Sequence, residues 1–112
     1  MIFKKIDGTP IVLEDYIKNY IKDHPDVELL IGCDSQNRRK QTSFALVVAM
    51  YNPGHGAHVV FKRWKERRGP SRNERLLKEV WSSVECAEEL KRCGITNIKY
   101  IDVDLNPSPK YR

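Results

Sequence analysis

The chain has 112 residues, enough for one domain with one core and too few for a second. Twenty Lys and Arg against fifteen Asp and Glu leave a net charge of +5, which favours a polyanionic partner. No stretch approaches the ~20 apolar residues that span a bilayer, and the N-terminus lacks the apolar run of a signal peptide. We therefore expect one domain over residues 1–112 and no membrane partner.

The three cysteines do not suit a disulfide framework or a zinc site. They are Cys33, Cys86 and Cys93, an odd number with no CxxC pair. Free thiols of this kind are typical of a reducing compartment, so we expect a cytoplasmic protein.

The apolar spacing predicts a series of elements in chain order. Residues 1–12 are expected to be extended, with a turn at Asp7-Gly8-Thr9-Pro10. Helical spacing follows over 13–23, and a second helix is expected between the capping pair Ser71 and Glu74 and the terminating Gly94. Strands are expected over 27–33, 42–51, 58–66 and 98–105.

The connections predict the topology. Short loops join the first three strands of the predicted sheet, so these strands should be antiparallel. The long helix acts as a crossover, which lets the fourth strand lie parallel to the first. We expect an α/β fold, with a mixed sheet of three antiparallel strands and one parallel strand flanked by helices.

Acidic residues occur on strands that otherwise look central. Alternation places Asp34 on one face of its strand with Leu30 and Gly32, and places Asp102 and Asp104 together on one face of the fourth strand. Clustered carboxylates are costly unless a cation neutralises them, and hard oxygen ligands suit Mg²⁺ or Mn²⁺. The alternative is that Asp34 begins a turn and that the other two aspartates lie at a solvated strand end.

Glu79 is the candidate third acid. It lies at the edge of the apolar stripe of the long helix, and it would point into the cluster if this helix packed over the acidic face of the sheet. The alternative is a solvated glutamate paired with Arg75, four residues earlier.

Basic residues follow the acidic strand and surround a tryptophan in the third strand. Such groups can hold phosphates and stack on a base, although a solvated hairpin and strand end is an equally open alternative. The candidate nucleic-acid-binding residues are Arg38, Arg39, Lys40, Lys62, Arg63, Trp64 and Lys65.

Three motifs resemble those of the YkuK-like family, a branch of the ribonuclease H-like superfamily. They are IGCDSQ at 31–36, LKEVWSS at 77–83 and IDVDLNP at 101–107, and they occur in the expected order. The resemblance implies that Asp34, Glu79 and Asp104 ligate two Mg²⁺ or Mn²⁺ ions, with Asp102 competing for the last role. Cys33 stands where this family usually has a small hydroxyl residue.

Relatives in this superfamily continue into a further strand or helix that often supplies another metal ligand. The resemblance therefore implies a domain that is short at its C-terminus, whether truncated or naturally so. It also implies a metal-dependent nuclease acting by a two-metal mechanism on RNA, RNA–DNA hybrid, or a branched or single-stranded nucleic acid, and the sequence does not choose among these substrates. The alternatives are a non-catalytic nucleic-acid-binding module with the same fold, and an interaction protein that forms a homodimer through a sheet edge.

Overall fold

The computed structural model of the chain describes residues 1–69 and 71–102. Its elements, in chain order, are β1 (Ile2–Lys5), β2 (Pro10–Val12), α1 (Leu13–Asp23), β3 (Glu28–Asn37), β4 (Gln41–Asn52), β5 (Gly56–Arg67), α2 (Arg72–Arg92) and β6 (Ile98–Asp102). No helix in these residues is long and apolar enough to cross a membrane.

The strands form one mixed sheet in the order β2-β1-β5-β4-β3-β6. Strands β3, β4 and β5 are antiparallel neighbours, and β6 runs parallel to β3 after the crossover through α2. The predicted α/β architecture is therefore confirmed. The N-terminal segment adds a hairpin, β1–β2, which turns at Gly8 with a φ of +91° and extends the sheet beyond β5.

The helix ends follow from local chemistry. Helix α1 ends at Asp23, just before the His24-Pro25 pair, because the residue that precedes proline is disfavoured in the α region. Helix α2 begins after Ser71, whose hydroxyl accepts a hydrogen bond from the Glu74 amide at 3.2 Å. Its C-terminal turn is closed by Gly94 at a φ of +86°, a conformation that glycine adopts without strain.

The core lies on one face of the sheet, and both helices pack there. Alternate residues of the strands contribute to it, together with apolar residues from each helix. The largest of these fully buried apolar residues are Phe3, Leu13, Ile17, Leu29, Ile31, Val48, Met50, Val60, Cys86 and Leu90. The intervening residues of β3 and β4 point to the opposite face of the sheet. No helix within residues 1–69 and 71–102 covers that face, and it is the uncovered face of the sheet.

Replacing Leu29 by alanine should lower the free energy of unfolding by about 2–5 kcal/mol, because its side chain is fully buried between the sheet and the helices. The matched control is Leu77→Ala, since Leu77 is 54% exposed on α2 and should change stability by about 0.5 kcal/mol or less. Urea denaturation followed by circular dichroism measures both values. Equal losses for the two variants would contradict the one-sided core.

Candidate metal and nucleic-acid site

Asp34 lies on the uncovered face of the sheet. Its neighbours along β3, Cys33 and Ser35, point to the face that packs against the helices, so alternation directs Asp34 away from them. The side chain is exposed, and its Oδ1 accepts a hydrogen bond from the Ser35 amide at 2.9 Å. One carboxylate oxygen is thus oriented by the backbone of its own strand.

Glu79 is held against β3 by a hydrogen bond. The hydroxyl of Ser35 donates to Glu79 Oε2, and the glutamate is only 8% exposed. The alternative of a solvated glutamate is therefore wrong. A carboxylate buried to this degree is costly unless hydrogen bonds or a cation compensate for its lost hydration.

The two acids approach β3 from opposite sides. Helix α2 packs on the face of Ser35 and not on the face of Asp34, so the condition under which Glu79 would point into a cluster on the acidic face is not met. Glu79 contacts Ser35, the residue that follows Asp34 in the chain. The Glu79 and Asp34 carboxylates therefore lie on opposite faces of β3. A shared ion must then lie at the edge of β3, where both faces are accessible.

Both carboxylates affect the pKa of the Cys33 thiol. Its pKa is raised to about 12, chiefly by burial of the thiol, then by the negative charge of Glu79 and then by that of Asp34, while a hydrogen bond with Ser82 opposes the rise. The negative charges of the two acids therefore act on one point of β3. Such a concentration of charge is the electrostatic condition that a divalent cation relieves.

The end of β6 lies beside this edge. Ile101 is paired with Ile31, and Asp102 with Gly32, two residues before Asp34 in β3. For Asp102 the structure describes the backbone, and Asp104 lies outside the described residues. Beyond Gly32, the described residues include no strand that pairs with this edge of β3.

A second acidic group occurs where α1 meets α2. Ligand atoms of Glu14, Glu89 and Cys93 lie within 4.8 Å of one another. A cation is already present there, because the N-terminal ammonium of Met1 contacts Glu14 Oε1 at 2.7 Å. Arg92 also contacts Glu89, so this cluster is balanced by the protein's own charges.

Part of the predicted basic set gathers around Asp34. Arg63 lies opposite Ala45, which in turn lies opposite Asp34, so the three side chains occupy one row of the uncovered face. A cavity of about 700 Å³ opens along this row. Its polar lining includes Asp34, Gln36, Arg38, Ser43, Arg63 and Lys65. Arg39 and Lys40 lie in the exposed turn between β3 and β4, outside this lining.

Lys62 and Trp64 lie on the other face, because they alternate with Arg63 and Lys65. The indole of Trp64 stacks on Phe44 with ring centroids 5.2 Å apart, and its Nε1 donates to Glu66 Oε2 at 2.9 Å. One ring face and the ring N–H are therefore occupied within the protein. The sequence grouped these residues with Arg63 because spacing along the chain does not show which face is accessible.

Two further residues belong to the site although the sequence did not single them out. Ser35 bonds Glu79, and Phe61 lies on the uncovered face next to Arg63, whose guanidinium carbon is 5.0 Å from the ring centroid. The period of two along each strand assigns these faces, but only the packing of α2 shows which face is covered.

Comparison with known families gives one match. Residues 12–107 match the family model described as Ribonuclease H-like, so the match spans most of the chain and includes all three motifs. The resemblance inferred from those motifs is confirmed. No curated protein and no solved structure matches the chain.

Cys33 should react slowly with iodoacetamide at pH 8, because the thiolate is the reactive form and a pKa of about 12 leaves little of it. Glu79→Gln removes a negative charge, lowers this pKa and should accelerate labelling of Cys33. Cys86, whose pKa is raised to about 12 mainly by burial and not by Glu79, is the internal control. Mass spectrometry of peptides measures each rate, and equal acceleration at both cysteines would show general loosening instead.

Proposed function

The chain belongs to the ribonuclease H-like family, and from this premise we propose that it is a metal-dependent nuclease that hydrolyses phosphodiester bonds. Membership supports a nucleic-acid-related module. The observation that favours catalysis is that Asp34 and Glu79 flank the same point of β3, at the edge where β6 ends. Hard oxygen donors in this position suit Mg²⁺ or Mn²⁺.

Asp34, Glu79 and Asp104 are the proposed ligands, with Asp102 as the alternative to Asp104. Two such ions, when bound, activate a water and stabilise the leaving oxygen of a phosphodiester. Ser35 is a positioning residue, since its hydroxyl donates a hydrogen bond that orients the Glu79 carboxylate. The Ser35 amide does the same for Asp34.

The basic side chains beside Asp34 would hold the nucleic-acid backbone. Arg38, Arg63 and Lys65 line the cavity that also contains Asp34, so a phosphate held by them lies next to the proposed metal ligands. Arginine binds phosphate through two parallel N–H donors, which fixes both position and orientation. The substrates implied by the resemblance, RNA, RNA–DNA hybrid and branched DNA, all present such phosphates.

Asp34→Asn and Glu79→Gln should each reduce Mn²⁺-dependent cleavage of labelled nucleic acid to background, because each removes a proposed ligand charge. Glu28→Gln is the matched control, since Glu28 lies at the other end of β3 and should leave cleavage unchanged. Gel electrophoresis of the products, with and without chelator, measures the effect. Cleavage that persists in chelator and in both variants would exclude the proposed mechanism.

The alternative function is a nucleic-acid-binding module without turnover. It is favoured by the side-by-side placement of Arg38, Arg63 and Lys65, which supports binding whether or not a metal is held. Binding that weakens steeply with salt, together with no cleavage in Mg²⁺ or Mn²⁺, would select this alternative.

Arg63→Gln should weaken nucleic-acid binding and reduce the slope of log K against log salt by about 1, because one phosphate contact is lost. Lys62→Gln is the matched control: it removes an adjacent positive charge from the opposite face and should change the slope much less. Fluorescence anisotropy at several salt concentrations measures both. Identical slopes for the two variants would show that the cavity beside Asp34 does not hold the backbone.

Two further expectations remain predictions. A reducing, cytoplasmic location is supported by the three cysteines, all of which are free thiols. A homodimer through a sheet edge would use β2, β6, the part of β3 beyond the pairing with β6, or the part of β5 that follows the pairing with β1. That last stretch is rich in Lys and Arg, which disfavours edge pairing.

A further inference from the structure

On the uncovered face of the sheet, apolar side chains and polar side chains lie at different positions along the strands. The registers of β3 with β4 and of β4 with β5 align four rows across this face. The first two rows are apolar: Leu30, Ala49, Val59, then Gly32, Val47, Phe61. The next two are mostly polar and basic: Asp34, Ala45, Arg63, then Gln36, Ser43, Lys65. Asp34 stands where the apolar half meets the basic half.

The two halves form a continuous surface. A cavity of about 630 Å³ lies over the apolar half and includes Leu30, Val47 and Ala49, and the cavity of about 700 Å³ lies over the basic half. Asp34 lines both. The distance along β3 from the first row to the fourth is about 20 Å, at the usual rise of a strand.

Phe61 supplies the aromatic surface on the apolar side. The guanidinium of Arg63 lies over its ring, and Lys4, paired with Phe61 in β1, is exposed on the same face. Because Arg63 covers one face of this ring, an unpaired base would stack on the guanidinium plane that the ring supports, and Lys4 would help to neutralise its phosphate. The apolar half can therefore receive bases, and the basic half can receive the backbone.

We infer that this face binds single-stranded nucleic acid, with unpaired bases over the apolar half and phosphates over Arg63 and Lys65. The inference rests on the proposed function and narrows its substrate class. A duplex keeps its bases stacked inside and presents its phosphates outward, so it would leave the apolar half without a partner. A single strand can place its bases on the apolar half and its phosphates on the basic half, and its path between the two halves crosses Asp34.

The test compares labelled oligonucleotides of about 12 nucleotides, a length within the range of single-strand sites. Anisotropy is measured in chelator with single-stranded RNA, single-stranded DNA, RNA–DNA hybrid and duplex DNA. The single strands should bind at least about tenfold more tightly than the hybrid and the duplex. Phe61→Leu should weaken single-strand binding about tenfold. Phe61→Trp should retain single-strand binding, and this result would show that the site tolerates a change of residue at this position.

The matched control is Trp81→Leu, since Trp81 is 61% exposed on α2, away from this face. Equal effects of the two leucine variants, or hybrid and duplex bound as tightly as single strands, would overturn the inference. The inference would also be overturned if the native chain bound no single strand and if light scattering detected a dimer of the native chain but not of Phe61→Leu.

The nuclease proposal is tested separately by Mn²⁺-dependent cleavage. Hybrid cleavage without single-strand preference would leave that proposal standing and remove this one. Single-strand preference without cleavage by the native chain would do the reverse.

Discussion

Both helices pack on the same face of the sheet, and this constraint sets the positions of the core and of the candidate site. Burying Leu29, Ile31, Val48 and Met50 against α1 and α2 provides the core. Because side chains alternate along a strand, that same burial commits Leu30, Gly32, Asp34 and their neighbours in β4 to the opposite face. A shift of the register by one residue would exchange the two faces entirely.

This constraint gives β3 two different chemical sides within two residues. Ser35 points to the helices and hydrogen bonds the buried Glu79, whereas Asp34 points to open space beside Arg63. Burial of the thiol, followed by the negative charges of Glu79 and Asp34, raises the pKa of Cys33, the residue beside Asp34. A site at the strand edge can use both sides, since an edge is accessible from either face. The proposed metal position follows from this geometry.

The family match and the contacts of individual side chains support different parts of the proposed function. The family match supports the fold and a nucleic-acid-related module. The hydrogen bond between Ser35 and Glu79 and the row of Asp34, Ala45 and Arg63 support roles for particular side chains. The acid of the last strand motif, Asp104, lies outside the described residues, so its role depends on the resemblance and on the position of β6 beside β3.

Local patterns in the sequence predict the elements and their connections, because periodicity, capping and loop length are local properties. The bounds predicted for α1, the cap at Ser71, the end at Gly94 and the crossover from β5 to β6 are all confirmed. Which face of each strand is covered depends on how the helices pack against the sheet. Alternation separates Lys62 from Arg63 and Asp34 from Ser35, but it is symmetric, and nothing local states which set faces a helix. That choice depends on apolar contacts between residues distant in the chain. It placed the Trp64 ring against Phe44 on the covered face, left Phe61 and Arg63 on the uncovered face, and put Glu79 on the opposite side of β3 from Asp34.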